Sequence, residues 1–178
     1  MANVFDVADF FIKTTNQSED DQITNLKLNK LLYYAQGVSL ARTGKPMFND
    51  ALEAWQYGPV VPTVYRKYKV CGKQPIPSSG DVDRNLFTEE EFNILLDVMR
   101  ELGQYTGSAL VSFTHQPGTP WDNARISGCR LLSEEVLKEY FTSHPVPSYT
   151  DKITAERVEK LPADWYDPNE DSEWEAYL

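Results

Sequence analysis

The sequence predicts a mainly α fold with one minimal β element, an α+β arrangement built as a compact, single-domain helical bundle. Three observations carry this. Apolar residues recur at i, i+3, i+4 and i+7 in successive windows, most of them opened by a capping residue and closed by glycine or proline. One stretch, residues 51–57, has no such period and is rich in aromatic side chains. The chain has 178 residues, which suits one sizeable core with a short appendage.

Taken in order, Asn3 caps a first helix, with Asp6 three residues on in the manner of a capping box. Val4, Val7, Ala8, Phe11 and Ile12 form its inward stripe. Residues 14–21 are polar and read as a loop. Thr24 caps the central helix, whose apolar stripe is Leu28, Leu31, Leu32, Ala35 and Val38. Lys27, Lys30 and Tyr34 fall on a second face of the same helix. Gly44 and Pro46 stop it. Residues 51–57 read as a short strand that ends at Gly58-Pro59.

Pro62 needs no N–H at a first helical position, so a helix runs on to Val70 and ends at Gly72. Residues 71–85 hold two glycines and two prolines, Gly72, Pro75, Pro77 and Gly80, and read as a loop. Thr88 and Glu91 form a capping box for a helix with Phe92, Leu95, Leu96, Met99 and Leu102 inward, ended by Gly103. Residues 108–115 form a short helix broken by Pro117-Gly118. Thr119, Pro120 and Asp122 restart the chain as cap, first helical residue and first-turn acid. Ser133 opens the last core helix, with Val136, Leu137, Tyr140 and Phe141 inward, and Pro145 and Pro147 stop it. Residues 151–160 suit one more short helix. Beyond it, Trp165, Tyr166, Trp174 and Tyr177 stand among acids, a composition that fits either packing back on the body or docking on a partner.

The formal net charge is −10. Residues 151–178 hold nine carboxylates against three basic side chains, a net −6, which leaves −4 for the body. A body so mildly charged, with an acidic end, lacks the basic clusters that general phosphate binding requires, so nucleic acid is not the expected partner. A basic protein partner is compatible with it, and so is a merely solvated tail. No apolar run reaches membrane-spanning length, and no membrane partner is expected. The first residues lack a basic and apolar leader, so the expected location is cytoplasmic. Cys71 and Cys129 sit in no motif and read as reduced thiols rather than a disulfide.

Chemistry-bearing motifs are sparse. Two histidines, His115 and His144, stand in no metal-ligand spacing, and there is neither a glycine-rich phosphate loop nor a nucleophile elbow. His115 could act as a base oriented by Asp122 or touch a partner; the preferred reading is a helix-end histidine that fixes the Pro117-Gly118 turn. No enzyme and no cofactor is expected. Lys27, Lys30 and Tyr34 read either as a partner-facing patch or as solvated side chains paired with surface carboxylates. Trp55, Tyr57, Gly58 and Pro59 read either as a binding ridge or as a core aromatic followed by a tight turn. Residues 65–69, Tyr-Arg-Lys-Tyr-Lys, could stack on RNA, but one such turn in an acidic chain is a weak signal.

Lys27 to Gly37 reads Lys-Leu-Asn-Lys-Leu-Leu-Tyr-Tyr-Ala-Gln-Gly, and Ala54 to Pro62 reads Ala-Trp-Gln-Tyr-Gly-Pro-Val-Val-Pro, with Tyr65 following. Thr114-His115 and Pro120-Trp121 come later. In that order these resemble the signature of the Panacea-domain family, the SocA-like antitoxins also described as phage-associated GepA-like proteins. The resemblance spans roughly residues 4 to 141. It implies a Panacea domain over residues 1–147 and an acidic, aromatic extension over 148–178. It implies an antitoxin that neutralises a cognate protein toxin by direct binding, or an adaptor that delivers the toxin to a cytosolic protease. A phage-encoded acidic inhibitor that mimics nucleic acid toward a host protein is the third reading. Lys27, Leu28, Lys30, Leu31, Tyr34, Trp55, Gly58, Pro59, Tyr65, His115, Pro120 and Trp121 match the family signature. The expected partner-binding set is Lys27, Lys30, Tyr34, Trp55, Tyr57, Gly58, Pro59, Tyr65, His115 and Trp121. No sequence feature sets the oligomeric state.

Overall fold

One helix, α2 (Asn25–Thr43), forms the axis of the fold, and every side chain from Lys27 to Leu40 is buried. The computed structural model describes residues 1–15, 22–144 and 146. In chain order its other elements are α1 (Val4–Thr14), β1 (Leu52–Trp55), β2 (Gly58–Val60), α3 (Pro62–Tyr68), α4 (Glu89–Leu102), α5 (Gly107–Thr114), α6 (Pro120–Ser127), β3 (Leu131–Leu132) and α7 (Glu134–Ser143). Single 3-10 turns follow α3 at Lys69–Cys71 and precede α4 at Arg84–Leu86. The fold is mainly helical with a small sheet, as the sequence predicts.

Helix α2 forms where the sequence starts and stops it. Thr24 Oγ1 accepts the Lys27 N–H at 3.2 Å, and Gly44 closes the far end in the left-handed region. The surrounding layer is α1, α3, α4, α5, α7 and β2. A one-sided stripe is therefore the wrong description of α2. Its polar residues meet the sheet, α3 and the end of α4, and Leu26 lies against Gly107 of α5. The closest approach is to α7, where the Phe141 ring lies so near the Gly37 backbone that a Cβ at 37 would overlap it. Tyr33 and Tyr34 stand edge-on to that ring at 5.3 and 5.8 Å between centroids.

Helix α1 packs Phe10 and Phe11 inward, and Phe10 meets Phe92 of α4 and Phe87 edge-on. Its cap is Asn3, whose Oδ1 accepts the Phe5 N–H at 2.9 Å. Helix α4 carries the expected reciprocal capping box between Thr88 and Glu91. Its inward stripe is Ile94, Leu95, Val98 and Leu102. Leu96, expected inward, is 42% exposed because it lies about 100° round the helix from Leu95. Val136, also expected inward, is 44% exposed for the same reason: Leu137 and Phe141, four apart, define the buried line of α7.

The expected single strand is a hairpin. β1 pairs antiparallel with β2, with Glu53 opposite Val60, Ala54 opposite Pro59 and Trp55 opposite Gly58. Gln56-Tyr57 make the turn, and Gly58 leaves it at φ +107°, a region that side chains disfavour. Pro59 has no N–H to give a ladder, and β2 is an edge strand. On the other side β1 pairs with β3, Leu52 opposite Leu132, giving the order β2-β1-β3. β3 is two residues long and has no sequence signature of its own.

No helix among the described residues is long and apolar enough to cross a membrane. Cys71 and Cys129 are both free thiols. The helix expected at 151–160 and the aromatic residues beyond it lie outside the described residues.

Candidate partner-binding site

The polar face of α2 is internal, and it holds main chain. Lys27 Nζ donates to the carbonyl of Gly103, the residue that caps the end of α4, at 2.5 Å. That carbonyl belongs to a helix C-terminus, where a cation is favoured. Lys30 is fully buried, and its Nζ donates to the Pro59 carbonyl in β2 at 3.0 Å. Asn29 Oδ1 accepts the Val61 N–H at 2.9 Å, and Asn25 Nδ2 donates to the Tyr65 carbonyl at 3.1 Å. Gln36 accepts from the Met47 and Phe48 N–H groups and donates to the Phe48 carbonyl. Buried polar groups are retained when they are bonded in this way. Here each bond also fixes a loop, a strand or the start of a helix.

This corrects the expected exposed patch. Lys27, Lys30 and Tyr34 lie in the interior. Burial pushes the Tyr34 hydroxyl pKa well above the ordinary tyrosine value, with a smaller contribution from Tyr140. Trp55, Gly58, Pro59 and Tyr65 are buried as well. Trp55 and Tyr65 meet edge-on at 4.9 Å. The Trp55 indole donates to Glu53 Oε2 at 2.8 Å, and the same oxygen receives Arg130 Nε at 2.7 Å. The bonding partners of these seven residues are separated from them by up to 76 positions in sequence, so no local pattern announces their burial.

Three of the expected residues do reach solvent: Tyr57, His115 and Trp121 are half-buried. The backbone brings their elements together. Trp121, in the first turn of α6, donates its indole N–H to the Trp55 carbonyl at 2.6 Å, two residues before Tyr57 at the hairpin turn. The His115 ring lies flat on the Trp121 ring, centroids 3.6 Å apart and planes 4° from parallel. Arg125, one helical turn after Trp121, places its guanidinium 5.9 Å from the indole centroid. The stacked pair and the guanidinium form one aromatic and cationic surface, anchored on β1 two residues before Tyr57. Such residue types dominate binding hot spots.

The α5–α6 turn that presents the stack is built by its own side chains. Thr119 Oγ1 donates to the Thr114 carbonyl at 2.6 Å and accepts the Asp122 N–H at 3.2 Å. Asp122 Oδ2 accepts the Gly118 N–H at 2.9 Å. Asp122, considered in the sequence as an orienting group for His115, thus closes the turn. No group of three or more His, Cys, Asp or Glu side chains among the described residues is placed to hold a metal ion. Sequence reasoning missed Arg125, although its spacing of four from Trp121 was visible, and it missed the Glu53–Arg130 pair, which depends on β3.

The "Antitoxin SocA-like, Panacea domain" family matches residues 28–122, from the first buried leucine of α2 through the His115–Trp121 stack. A relative described as Antitoxin SocA, from Caulobacter vibrioides (strain NA1000 / CB15N), is 34% identical over 159 residues, which cover 80% of this chain and 85% of the relative. The chain belongs to the SocA-like antitoxin family of Panacea-domain proteins. No solved structure matches it significantly.

Proposed function

We propose that this protein is the antitoxin of a toxin–antitoxin module and neutralises a cognate protein toxin by direct binding in the cytoplasm. The toxin is received on the surface that carries Tyr57, His115, Trp121 and Arg125. One observation carries this: a flat, half-exposed His115–Trp121 stack, fixed from below by the Trp55 carbonyl, inside the span that matches the antitoxin family. The buried members of the expected set, Lys27, Lys30, Tyr34, Trp55, Gly58, Pro59 and Tyr65, support that surface from inside. Residues 1–147 form the family domain, and 148–178 form an extension outside it. The protein acts by binding and not by catalysis.

The test is co-expression with the open reading frame beside this gene, followed by purification. Growth arrest by the neighbour alone, rescue by this protein and a stable complex of the two are the expected results. The Trp121→Ala protein should lose rescue while still folding. Rescue with falling toxin levels and no stable complex would replace masking by delivery to a cytosolic protease. A harmless neighbour would overturn the pairing. Loss of activity on deleting residues 161–178 alone would favour the nucleic-acid-mimic reading instead.

A further inference from the structure

Between α6 and α7 lies an open cleft of about 360 Å³. Pro120 and Asn123 line its α6 side, and Val136, Glu139, Tyr140 and His144 line its α7 side. The sequence of α7 explains the opening. Leu137 and Phe141 take the buried line of this helix. Val136, Glu139 and Tyr140 recur at i, i+3 and i+4, which gives a second line along one side of it. That line faces the cleft, so Val136 is an apolar side chain left outside the core.

Three properties of the cleft select one kind of ligand. It is aromatic: the His144 ring lies flat against the Tyr140 ring, centroids 4.3 Å apart and planes 9° from parallel. It holds an amide acceptor: Asn123 Nδ2 donates to the Gly118 carbonyl at 3.3 Å, which leaves Oδ1 as the group Asn123 can offer. It is negative: Glu139 is exposed, and its carboxylate meets no base among the described residues. The one base of α7, Lys138, stands beside Gly44 at the end of α2, and Arg125 of α6 is turned to the Trp121 ring. We infer that this cleft binds the guanidinium of an arginine side chain presented by a protein partner. Glu139 and Asn123 Oδ1 accept its N–H groups, and the Tyr140–His144 pair receives its plane. A guanidinium is planar, weakly hydrated and all donor, whereas an ammonium is compact and strongly hydrated. Contact with an aromatic face adds a cation–π attraction. A net charge of −10 draws a basic partner toward the chain. A free amino acid would bring its own carboxylate toward Glu139, so an arginine within a peptide chain fits better. The inference does not rest on the antitoxin reading, because it names the chemistry of one contact and not the partner's activity.

Titration of the isotope-labelled full chain with the peptide acetyl-Gly-Arg-Gly-amide, followed by amide chemical shifts, tests the site. Shifts should centre on Asn123, Glu139 and Tyr140, and the matching lysine peptide should bind several-fold more weakly. The E139Q protein should bind the arginine peptide about 10-fold more weakly, the scale of one hydrogen bond to a charged group. Glu139 is exposed, so the fold should survive the change. The E90Q protein, altered at an exposed position on α4, should match the unsubstituted chain. No shifts at millimolar peptide, shifts centred elsewhere, or equal affinity in E139Q would overturn the site. Equal binding of the lysine peptide would overturn selection of a guanidinium. Free L-arginine binding as tightly as the peptide would overturn the protein partner and put the amino acid in its place.

Discussion

Lys30 and Gly58 occupy one space. The missing side chain of Gly58 leaves the room through which the Lys30 ammonium reaches the Pro59 carbonyl, and a Cβ there would overlap Lys30 Cε and lie 2.9 Å from Thr114 Oγ1. Helix α2, the hairpin and α5 therefore meet at a single point. Gly58→Ala should cost ~2–4 kcal/mol, from overpacking together with a side chain at φ +107°. Urea unfolding measures it, and a loss below about 0.5 kcal/mol would show that the junction yields.

Removing the other half of the pair tests whether Lys30 is structural. Lys30→Ala should cost ~2–5 kcal/mol, because a fully buried stem leaves a cavity and the Pro59 carbonyl loses a donor. Lys30→Met keeps most of the volume and should cost markedly less. Equal midpoints for the two variants would mean that packing of the stem contributes little.

The stack on the surface should behave in the opposite way. His115→Ala is expected to leave the thermal midpoint within a few degrees and to weaken toxin binding about 10- to 100-fold, the scale of a hot-spot residue. Titration calorimetry against the purified toxin reads the affinity. Unchanged affinity would remove His115 from the interface.

The Trp121 indole bond supports the stack from below. Trp121→Phe keeps an aromatic ring under His115 and deletes the N–H that reaches the Trp55 carbonyl. The expected cost is ~1 kcal/mol of stability, with a fold intact by circular dichroism. A loss of several kcal/mol would place the hairpin's anchorage almost wholly on this bond.

Alkaline pH should unfold the protein through its tyrosines. Burial, reinforced by the adjacent Asp9, pushes Tyr68 up to about 12, and burial raises Tyr33 and Tyr34 as well. A raised tyrosine pKa means that the folded state holds its protons longer than the unfolded chain. The stability involved is fully present below about pH 10 and is lost as pH climbs through the folded-state values. Absorbance of phenolate should show a late group of tyrosines that ionise together with loss of helical signal. Ionisation of all tyrosines in one early phase would contradict this.

Much of the frame was legible because helix ends are local. Thr24, Thr88, Thr119 and Ser133 each cap the helix that their sequence context predicts. The aromatic stretch 51–57 was correctly extended, but its hairpin depends on Gly58 turning the chain, and β3 depends on pairing with a strand almost eighty positions earlier. Of the candidate surface, His115 and Trp121 stand in the sequence motif and are half-buried, whereas the lysines of α2 were read as surface because lysine is rarely buried without a partner. Their partners are carbonyls of Gly103 and Pro59, which any residue type could supply.

A helix covered on every flank also sets an order for biosynthesis. Helix α2 leaves the ribosome long before α4, α5 and α7, and Phe141 is the last ring to settle on Gly37. Until then α2 lacks the cover of α7 over Tyr33, Tyr34 and Gly37. Contacts so distant along the chain form slowly. A chain that ends before α7 is expected to leave the Tyr33, Tyr34 and Gly37 face of α2 uncovered.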